Sequence, residues 1–372
     1  MRKGIREAVR GTTRLGVGGR RNRRTRVGLL AVMAMVLAAA ACGTSPFPTT
    51  PPTSPTQPTS GLGSDTPCTV GAAVAGTAES GQTTAFYYPG GTAASPLTGG
   101  NCGDSSRPVV AVVHGLDAEN PTLYQGIINH EVAVGNIVIF ATYNTAESTL
   151  LLSFQDEDKE LVSGASQLTR DDLSRFGIIG HSMGAGASAY LTLQAASRHW
   201  GSNSLWVFAL APWYVNGVGT GPINFPSNAR VIIENYDNDV FVDARIGIDY
   251  FNSLPLPPTQ KVHVEVQSET RGSVTLGASH LTPNEIIAPD DSLKYFGIYR
   301  DADVLQGCSI TNTWCNWSQM TDMGTWSDGQ AATPAIVSQS PTDMGPSSLA
   351  ECNVSANDRS ANCGTSVITT PA

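Results

Sequence analysis

The stretch of sequence that decides the fold runs from residue 176 to residue 187 and reads FGIIGHSMGAGA. An apolar run typical of a buried strand leads directly into a G-x-S-x-G motif and then into small residues that suit a closely packed helix. Glycines two positions either side of Ser182 permit a tight strand-to-helix turn, because a Cβ there would collide with neighbouring backbone. A chain with 38 glycines can produce the motif by chance, but chance does not supply the flanking strand and helix. The stretch therefore predicts a nucleophile elbow with Ser182 as the nucleophile.

A serine nucleophile needs a base to accept its proton, and three histidines follow Ser182. His199 comes at the end of the helix that begins at the elbow, and His263 alternates within a predicted strand, so neither is expected to reach the serine. His280 lies in the segment GASHLTPN (277–284), a loop after a β-type run. We therefore predict His280 as the general base, the alternative being a histidine of a surface loop.

The orienting acid is expected after residues 229–234, ARVIIE, which have the pattern of a buried parallel strand. The next nine residues, NYDNDVFVD, contain three aspartates. Asp239 is preferred because N-D-x-x-V is a common form of this turn in such hydrolases, with Val240 and Val242 anchoring the loop. Asp237 is the second candidate, and a merely solvated acidic loop is the third. The alternating oxygen ligands and closing glutamate of a calcium loop are missing, so no metal site is predicted.

The oxyanion of an acyl-transfer reaction needs backbone N–H donors. Met183 follows the nucleophile at the start of a helix, where N–H groups are unpaired and the helix dipole is positive. The second donor is expected after the apolar run 108–113, which continues into His114, Gly115 and Leu116. Gly115 allows the backbone to turn so that the N–H of Leu116 points into the site. His114 is interpreted as a residue that holds this loop rather than as a second base.

The order and spacing of these motifs resemble the secreted cutinase-like polyester hydrolases and lipases of actinobacteria, relatives of the dienelactone hydrolases, over about residues 84–300. The residues that carry the resemblance are GHSMG (180–184), APW (211–213), ND (238–239), GASH (277–280) and PN (283–284). The resemblance implies an α/β-hydrolase fold, a triad of Ser182, Asp239 and His280, and an oxyanion pair of Leu116 and Met183.

Trp213 is implied by the same resemblance to line the acyl-binding cleft, whereas Trp206, within the run 205–210, suits a core position. Three features differ from that family. Leu116 stands where those enzymes usually carry an aromatic residue, an inserted turn at 268–272 precedes His280, and the chain continues far beyond the histidine. These differences leave the identity of the ester open.

The N-terminus has the features of an export signal. Ten of the 22 Lys and Arg residues, but only one of the 31 Asp and Glu residues, precede Cys42. The apolar run 27–41 is shorter than the about 20 residues that a spanning helix needs, and it suits a signal peptide ending at residue 41. Cys42 after three alanines resembles a bacterial lipoprotein cleavage site, so we expect Cys42 to carry a lipid and the protein to face outward on the cell membrane. Cleavage at the alanines, with secretion of a soluble enzyme, is the alternative.

Residues 42–66 are rich in Pro, Thr and Ser and are expected to form an extended linker. From Cys42 onward the chain keeps 12 basic against 30 acidic side chains, a net charge of −18 compared with −9 for the whole sequence. This charge disfavours nucleic acid as a partner. The six cysteines after Cys42 are expected to form disulfides outside the cell. Proximity in sequence favours the pairs Cys68–Cys102, Cys308–Cys315 and Cys352–Cys363 among fifteen possible pairings.

Residues 67–306 are expected to form one α/β catalytic domain with a mostly parallel central sheet, helices on both faces and catalytic loops at the carboxyl ends of the strands. Residues 307–372 form a Cys- and Trp-containing C-terminal extension whose role the sequence leaves open. The predicted strands are 83–88, 109–113, 136–142, 176–180, 205–210, 230–234 and 262–266.

These features together predict a monomeric, extracytoplasmic carboxylic ester hydrolase that acts on an aliphatic ester, a lipid or a polyester through an acyl-enzyme, without a cofactor. Two other functions are compatible with the same motifs. One is an acyltransferase that passes the acyl group to an alcohol of the cell envelope, and the other is a non-catalytic surface binding protein on a hydrolase fold.

Overall fold

The structure is a computed structural model that describes residues 51–77, 83–92, 95–96, 102, 105–285, 290–342 and 351–363. The expected export signal and Cys42 lie outside the described residues. From Pro51 onward the chain forms one compact unit. No helix within the described ranges has both the length and the apolar character that crossing a membrane requires.

Nine of the described strands form one mixed, mostly parallel sheet. The strands are β1 (Val70–Thr77), β2 (Thr83–Pro89), β3 (Gly91–Thr92), β4 (Ser95–Pro96), β5 (Arg107–Val113), β6 (Ile137–Ala141), β7 (Asp171–His181), β8 (Ser204–Leu210), β9 (Ala229–Tyr236), β10 (Lys261–Val266), β11 (Glu269–Arg271), β12 (Val274–Leu276) and β13 (Ile336–Ser338). The sheet order is β1-β2-β6-β5-β7-β8-β9-β10-β13. The six strands from β6 to β10 in this order are parallel, and antiparallel strands flank them on both sides. The predicted α/β architecture is confirmed at this level.

Helices cover both faces of the sheet. The α-helices are Gln125–Ala133, Leu150–Ala165, Met183–Ser197, Ala244–Asn252, Arg300–Gln306 and Ser360–Cys363. Shorter 3-10 turns lie at Pro121–Tyr124, Ser318–Thr321 and Glu351–Asn353, and π-helical turns at Lys294–Tyr299 and Gly307–Thr311. Each of the seven predicted strands matches one strand of the sheet, namely β2 and β5 to β10.

Two hydrophobic cores form because alternate residues of a strand point to opposite faces of the sheet. On β5, Val110 and Val112 belong to one core, whereas Val109 and Val113 belong to the other. The first core contains side chains of the helices at 125–133 and 300–306, and the second contains those of the helices at 150–165, 183–197 and 244–252. The central parallel strands are buried on both faces, which explains their nearly continuous apolar sequences.

The start of the C-terminal extension is part of the first core. The turn Gly307–Thr311 continues the helix Arg300–Gln306 directly, so the expected boundary after residue 306 falls inside a continuous helical segment. Trp317, Met320 and Trp326 are buried in the first core. The strand β13 then pairs with β10 and extends the sheet.

The second part of the expected linker, residues 51–66, lies against the rest of the unit, with a turn at residues 61–64. The backbone N–H of Thr53 donates to the Ser327 hydroxyl at 2.8 Å, and the Ser327 N–H donates to the Thr53 carbonyl at 3.2 Å. The N–H of Gly63 donates to the Asp303 carboxylate at 2.6 Å. Residues 51–66, here called the strap, are therefore docked rather than a free linker, and residues 42–50 of the expected linker lie outside the described residues.

Two of the three expected disulfides are confirmed. The Cα atoms of Cys68 and Cys102 lie 5.2 Å apart, and those of Cys308 and Cys315 lie 4.9 Å apart. Cys352 is also disulfide-bonded, but the side chain of its expected partner lies outside the described part of the structure.

Candidate active site

Ser182 lies at the turn between β7 and the helix Met183–Ser197, with φ 56° and ψ −117°. This left-handed conformation is unusual for a non-glycine residue and is typical of a nucleophile elbow. A Cβ on Gly180 would overlap the backbone of Gly184, and a Cβ on Gly184 would overlap the Val113 carbonyl on the neighbouring strand. The two glycines of the motif are therefore required by close backbone packing.

The structure brings Ser182, His280 and Asp239 together in one hydrogen-bonded chain. The Ser182 Oγ lies 2.9 Å from Nε2 of His280, and Nδ1 of His280 lies 2.8 Å from Oδ2 of Asp239. The other oxygen of Asp239 accepts the backbone N–H groups of Phe241 at 2.8 Å and Val242 at 2.9 Å. These bonds hold the carboxylate in the position from which it can orient the imidazole.

The two other aspartates of the loop have different contacts. Asp237 accepts hydrogen bonds from the N–H and the hydroxyl of Ser268, at 2.8 and 2.5 Å. Asp243 caps the helix Ala244–Asn252 and pairs with the side chain of Arg245. Both therefore support the loop from outside the triad.

The other two histidines after the elbow lie away from Ser182. His199 is exposed just beyond the helix that begins at the elbow. His263 is buried within β10, where its ring packs edge-on against Phe251 with centroids 6.2 Å apart.

The expected oxyanion donors flank the nucleophile. Met183 is the first residue of its helix, so its N–H has no partner within that helix. A Cβ on Gly115 would lie 3.2 Å from the Cβ of Ser182, which places the loop of Gly115 and Leu116 directly beside the serine. Backbone donors from two separate elements can thus converge on one carbonyl oxygen.

His114 contacts the backbone of the expected oxyanion loop through its side chain, as predicted. Its Nδ1 lies 2.7 Å from the Gly115 carbonyl, and the hydroxyl of Tyr143 donates to the His114 carbonyl at 2.8 Å. Complete burial lowers the pKa of His114 to about 4, so the ring is neutral near pH 7 and its Nδ1–H can donate to the Gly115 carbonyl.

His181, the second residue of the motif, joins the loop at Gly115 to the segment that carries His280, the predicted general base. Burial, together with the neighbouring His280, holds the pKa of His181 well below its usual range. The neutral ring can therefore donate from Nε2 to the His280 carbonyl at 2.8 Å and accept at Nδ1 from the Tyr124 hydroxyl at 3.0 Å. The same hydroxyl accepts the N–H of Gly115 at 2.9 Å. Sequence reasoning missed this connection, because no motif links Tyr124 to the elbow.

The mouth of the site carries exposed apolar side chains. Leu116 is 47% exposed, Phe241 58% and Val240 65%. The Phe241 ring lies 5.4 Å from the His280 ring, centroid to centroid. The expectation that Val240 anchors the acid loop is wrong, because its side chain projects to solvent; Val242 alone is buried. The sequence analysis did not identify Phe241 as a residue of the mouth, although an aromatic residue two positions after the predicted acid could have indicated it.

Trp213 lies next to the nucleophile through its backbone. Its N–H donates to the Ser182 carbonyl at 2.9 Å, and its partly exposed indole packs against Tyr214 with ring centroids 4.1 Å apart. Trp206, by contrast, is buried within β8. The described residues contain no group of three His, Cys, Asp or Glu side chains that could hold a metal ion.

Comparison of the chain with models of protein families and with curated proteins found no match.

Proposed function

We propose that this protein is an extracytoplasmic carboxylic ester hydrolase with an α/β-hydrolase fold. The observation that carries the proposal is the continuous chain from the Ser182 hydroxyl through His280 to Asp239, with contacts of 2.9 and 2.8 Å, built on a serine in the elbow conformation. A serine, a base and an orienting acid in this geometry form an activated nucleophile. The resemblance to cutinase-like hydrolases supports the same activity.

In the first half of the reaction, Ser182 Oγ bonds to the ester carbonyl carbon while its proton passes to Nε2 of His280. Asp239 orients the ring and stabilises the imidazolium. The N–H groups of Leu116 and Met183 bind the oxyanion. Collapse of the tetrahedral intermediate breaks the bond to the alcohol oxygen, which takes the proton from His280, and leaves an acyl-enzyme.

In the second half, a water molecule attacks the acyl carbon and gives its proton to His280. Collapse of this second intermediate returns the proton to Ser182 and releases the carboxylic acid. The mouth formed by Leu116, Val240 and Phe241 is open to solvent, which is compatible with water as the acyl acceptor. The same apolar side chains favour esters with a hydrophobic acyl or alcohol part.

The proposed location rests on the disulfides and on the N-terminal sequence. The Cys68–Cys102 and Cys308–Cys315 bonds are typical of proteins that fold in an oxidising compartment. With the signal-like residues 1–41 and Cys42, they support export and attachment to the outer face of the cell membrane through a lipid on Cys42. We propose a monomer, with an ester as its substrate.

Active-site labelling tests the proposal. A fluorophosphonate probe should label the purified mature protein and fail to label Ser182→Ala, while Ser197→Ala, at the exposed end of the same helix, should label normally. A panel from acetyl to long-chain esters, together with a solid polyester, would define the substrate. Parallel reactions with and without an acceptor alcohol would detect an acyltransferase. Labelling that persists in Ser182→Ala would refute the assignment.

A further inference from the structure

The loop between β8 and β9 carries Trp213 at its start and has an open crest. Gly217 and Gly219 both have φ 77°, a conformation that glycine adopts without strain. A Cβ on Gly219 or Gly221 would contact nothing within 4 Å. Gly217, by contrast, lies against the side chains of Leu151 and Tyr190. The crest, residues 219–221, is exposed and therefore has little packing of its own to fix its position.

Residues 351–363, here called the C-terminal clamp, hold this crest from outside. The Arg359 side chain is only 2% exposed, and its Nε donates to the Asp249 carboxylate at 2.7 Å. Its Nη1 donates to the carbonyl of Gly219 at 2.7 Å and to that of Gly221 at 3.1 Å. A planar guanidinium can bind one carboxylate and two carbonyls together, and a buried charge is tolerated only when it is paired in this way.

The clamp also closes a small apolar cluster beside the active site. Cys352 packs with Tyr214, Val242 and Ile246, all of them buried, and Trp213 lies against this cluster. Val242 is the residue whose N–H supports the carboxylate of Asp239. One cluster thus connects the clamp, the acid loop and Trp213, whose backbone N–H contacts the Ser182 carbonyl.

We propose that the C-terminal clamp determines the acyl-chain selectivity of the enzyme, because it fixes Trp213 beside Ser182 through the apolar cluster and through the loop that carries Trp213. The inference rests on the proposed ester hydrolase function. Esters with an acyl chain long enough to reach Trp213 depend on the clamp, whereas acetyl esters depend only on the triad and the oxyanion donors. The clamp thus gives part of the extension a specificity-determining role.

The test removes the buried ion pair as a unit, through Arg359→Met with Asp249→Asn, so that no unpaired charge stays buried. The kcat/KM for p-nitrophenyl decanoate should fall about tenfold, the scale of a lost hydrophobic pocket contact, while that for the acetate should stay within about twofold. The control is Arg271→Met with Asp328→Asn, which removes a partly exposed pair, with a 2.7 Å contact, between the extension and the hairpin of β11 and β12. The control should leave the decanoate-to-acetate ratio unchanged.

Hydrogen exchange provides a readout that does not depend on activity. Backbone amides within residues 212–223 should exchange faster in the clamp variant than in the wild type or the control. Asn362→Ala removes a 3.1 Å hydrogen bond to the Thr220 carbonyl and should change exchange and selectivity in the same direction but by less. This variant replaces the double variant in the test if the double variant does not fold.

An equal loss for both esters, or an unchanged ratio despite faster exchange, would overturn the selectivity role. Unchanged exchange would overturn the clamp itself. A wild-type protein that neither labels with fluorophosphonate nor cleaves any ester would instead refute the proposed function, and the exchange result would still report on the clamp.

Discussion

Tyr124→Phe tests whether the oxyanion loop and the general base are positioned through one shared hydroxyl. The substitution removes a single oxygen atom from a residue that is 1% exposed, so the core around the ring is retained. It deletes the acceptor of the Gly115 N–H and the donor to Nδ1 of His181, bonds of 2.9 and 3.0 Å. His181 in turn holds the carbonyl of His280. The Tyr124 hydroxyl thus links the oxyanion loop, through the His181 ring, to the backbone of His280.

The size of the effect follows from the two groups that lose a partner. A buried donor or acceptor left unpaired costs about 1–3 kcal/mol, so the loss of two partners should lower the free energy of unfolding by about 2–6 kcal/mol. Loss of a complete oxyanion donor lowers kcat by about 100- to 1000-fold. Because Leu116 keeps its N–H and only its support is weakened, we expect kcat to fall by about 10- to 100-fold, with a smaller change in KM.

The assay compares kcat, KM and the fluorophosphonate labelling rate of Ser182 across pH, together with thermal unfolding. Tyr250→Phe is the matched control, since its hydroxyl is also buried and lies 3.1 Å from Ser188 Oγ, away from the catalytic loops. The control should lose stability without losing kcat. If Tyr124→Phe retains wild-type kcat while its melting temperature falls, the hydroxyl is only a structural group and the positioning argument is refuted.

Four further outcomes are expected. Asp239→Asn should lower kcat by about four orders of magnitude with the fold intact, whereas Asp237→Asn should have a far smaller effect in the same assay; the reverse ranking would transfer the role. Burial keeps His114 neutral in the folded state, with its pKa lowered to about 4, so its contribution to stability is complete above about pH 6.5 and is lost as the pH falls toward 4. At about 1.4 kcal/mol per pKa unit this amounts to about 3 kcal/mol, and urea unfolding of His114→Gln should show a correspondingly flatter pH dependence. Cys42→Ser should release the protein from the membrane fraction or leave it unprocessed, and mass spectrometry that found an unmodified mature N-terminus in the wild type would contradict the lipid anchor. Leu116→Tyr should raise activity on an aromatic polyester relative to a butyrate ester by several-fold, since one aromatic contact contributes about 1 kcal/mol; an unchanged ratio would show that another residue shapes the cleft.

Local sequence patterns were sufficient to place the sheet and the proposed triad residues. The central strands are short apolar runs bounded by turn residues, and parallel strands bring their carboxyl ends to one edge of the sheet. The elbow carries Ser182 at such an end. The loop after β9 supplies Asp239 to the same edge, and the loop after β12 supplies His280. Chain order and strand direction together make the three residues meet.

Contacts between distant segments could not be read from the sequence in the same way. Arg359 and Asp249 are 110 positions apart, and no periodicity or spacing marks them as a pair. The three-residue strand β13 has no pattern of its own, because its strand structure comes from pairing with β10. The strap at 51–66 has a composition typical of a free linker, yet hydrogen bonds to the rest of the unit hold it in place.

Phe241 shows how substrate contacts and catalytic geometry are joined in this site. The sequence resemblance to cutinase-like hydrolases directs attention to Leu116, because those enzymes usually carry an aromatic residue there. At this mouth, however, the aromatic ring of Phe241 lies on the acid loop, 5.4 Å from the ring of His280. The same loop presents the N–H of Phe241 to Asp239 and is anchored underneath by Val242. A substrate group that packs on the Phe241 ring would therefore restrain the segment that orients the base. Binding energy at the mouth can in this way favour the arrangement that the transition state requires, which links ester selectivity to kcat as well as to KM.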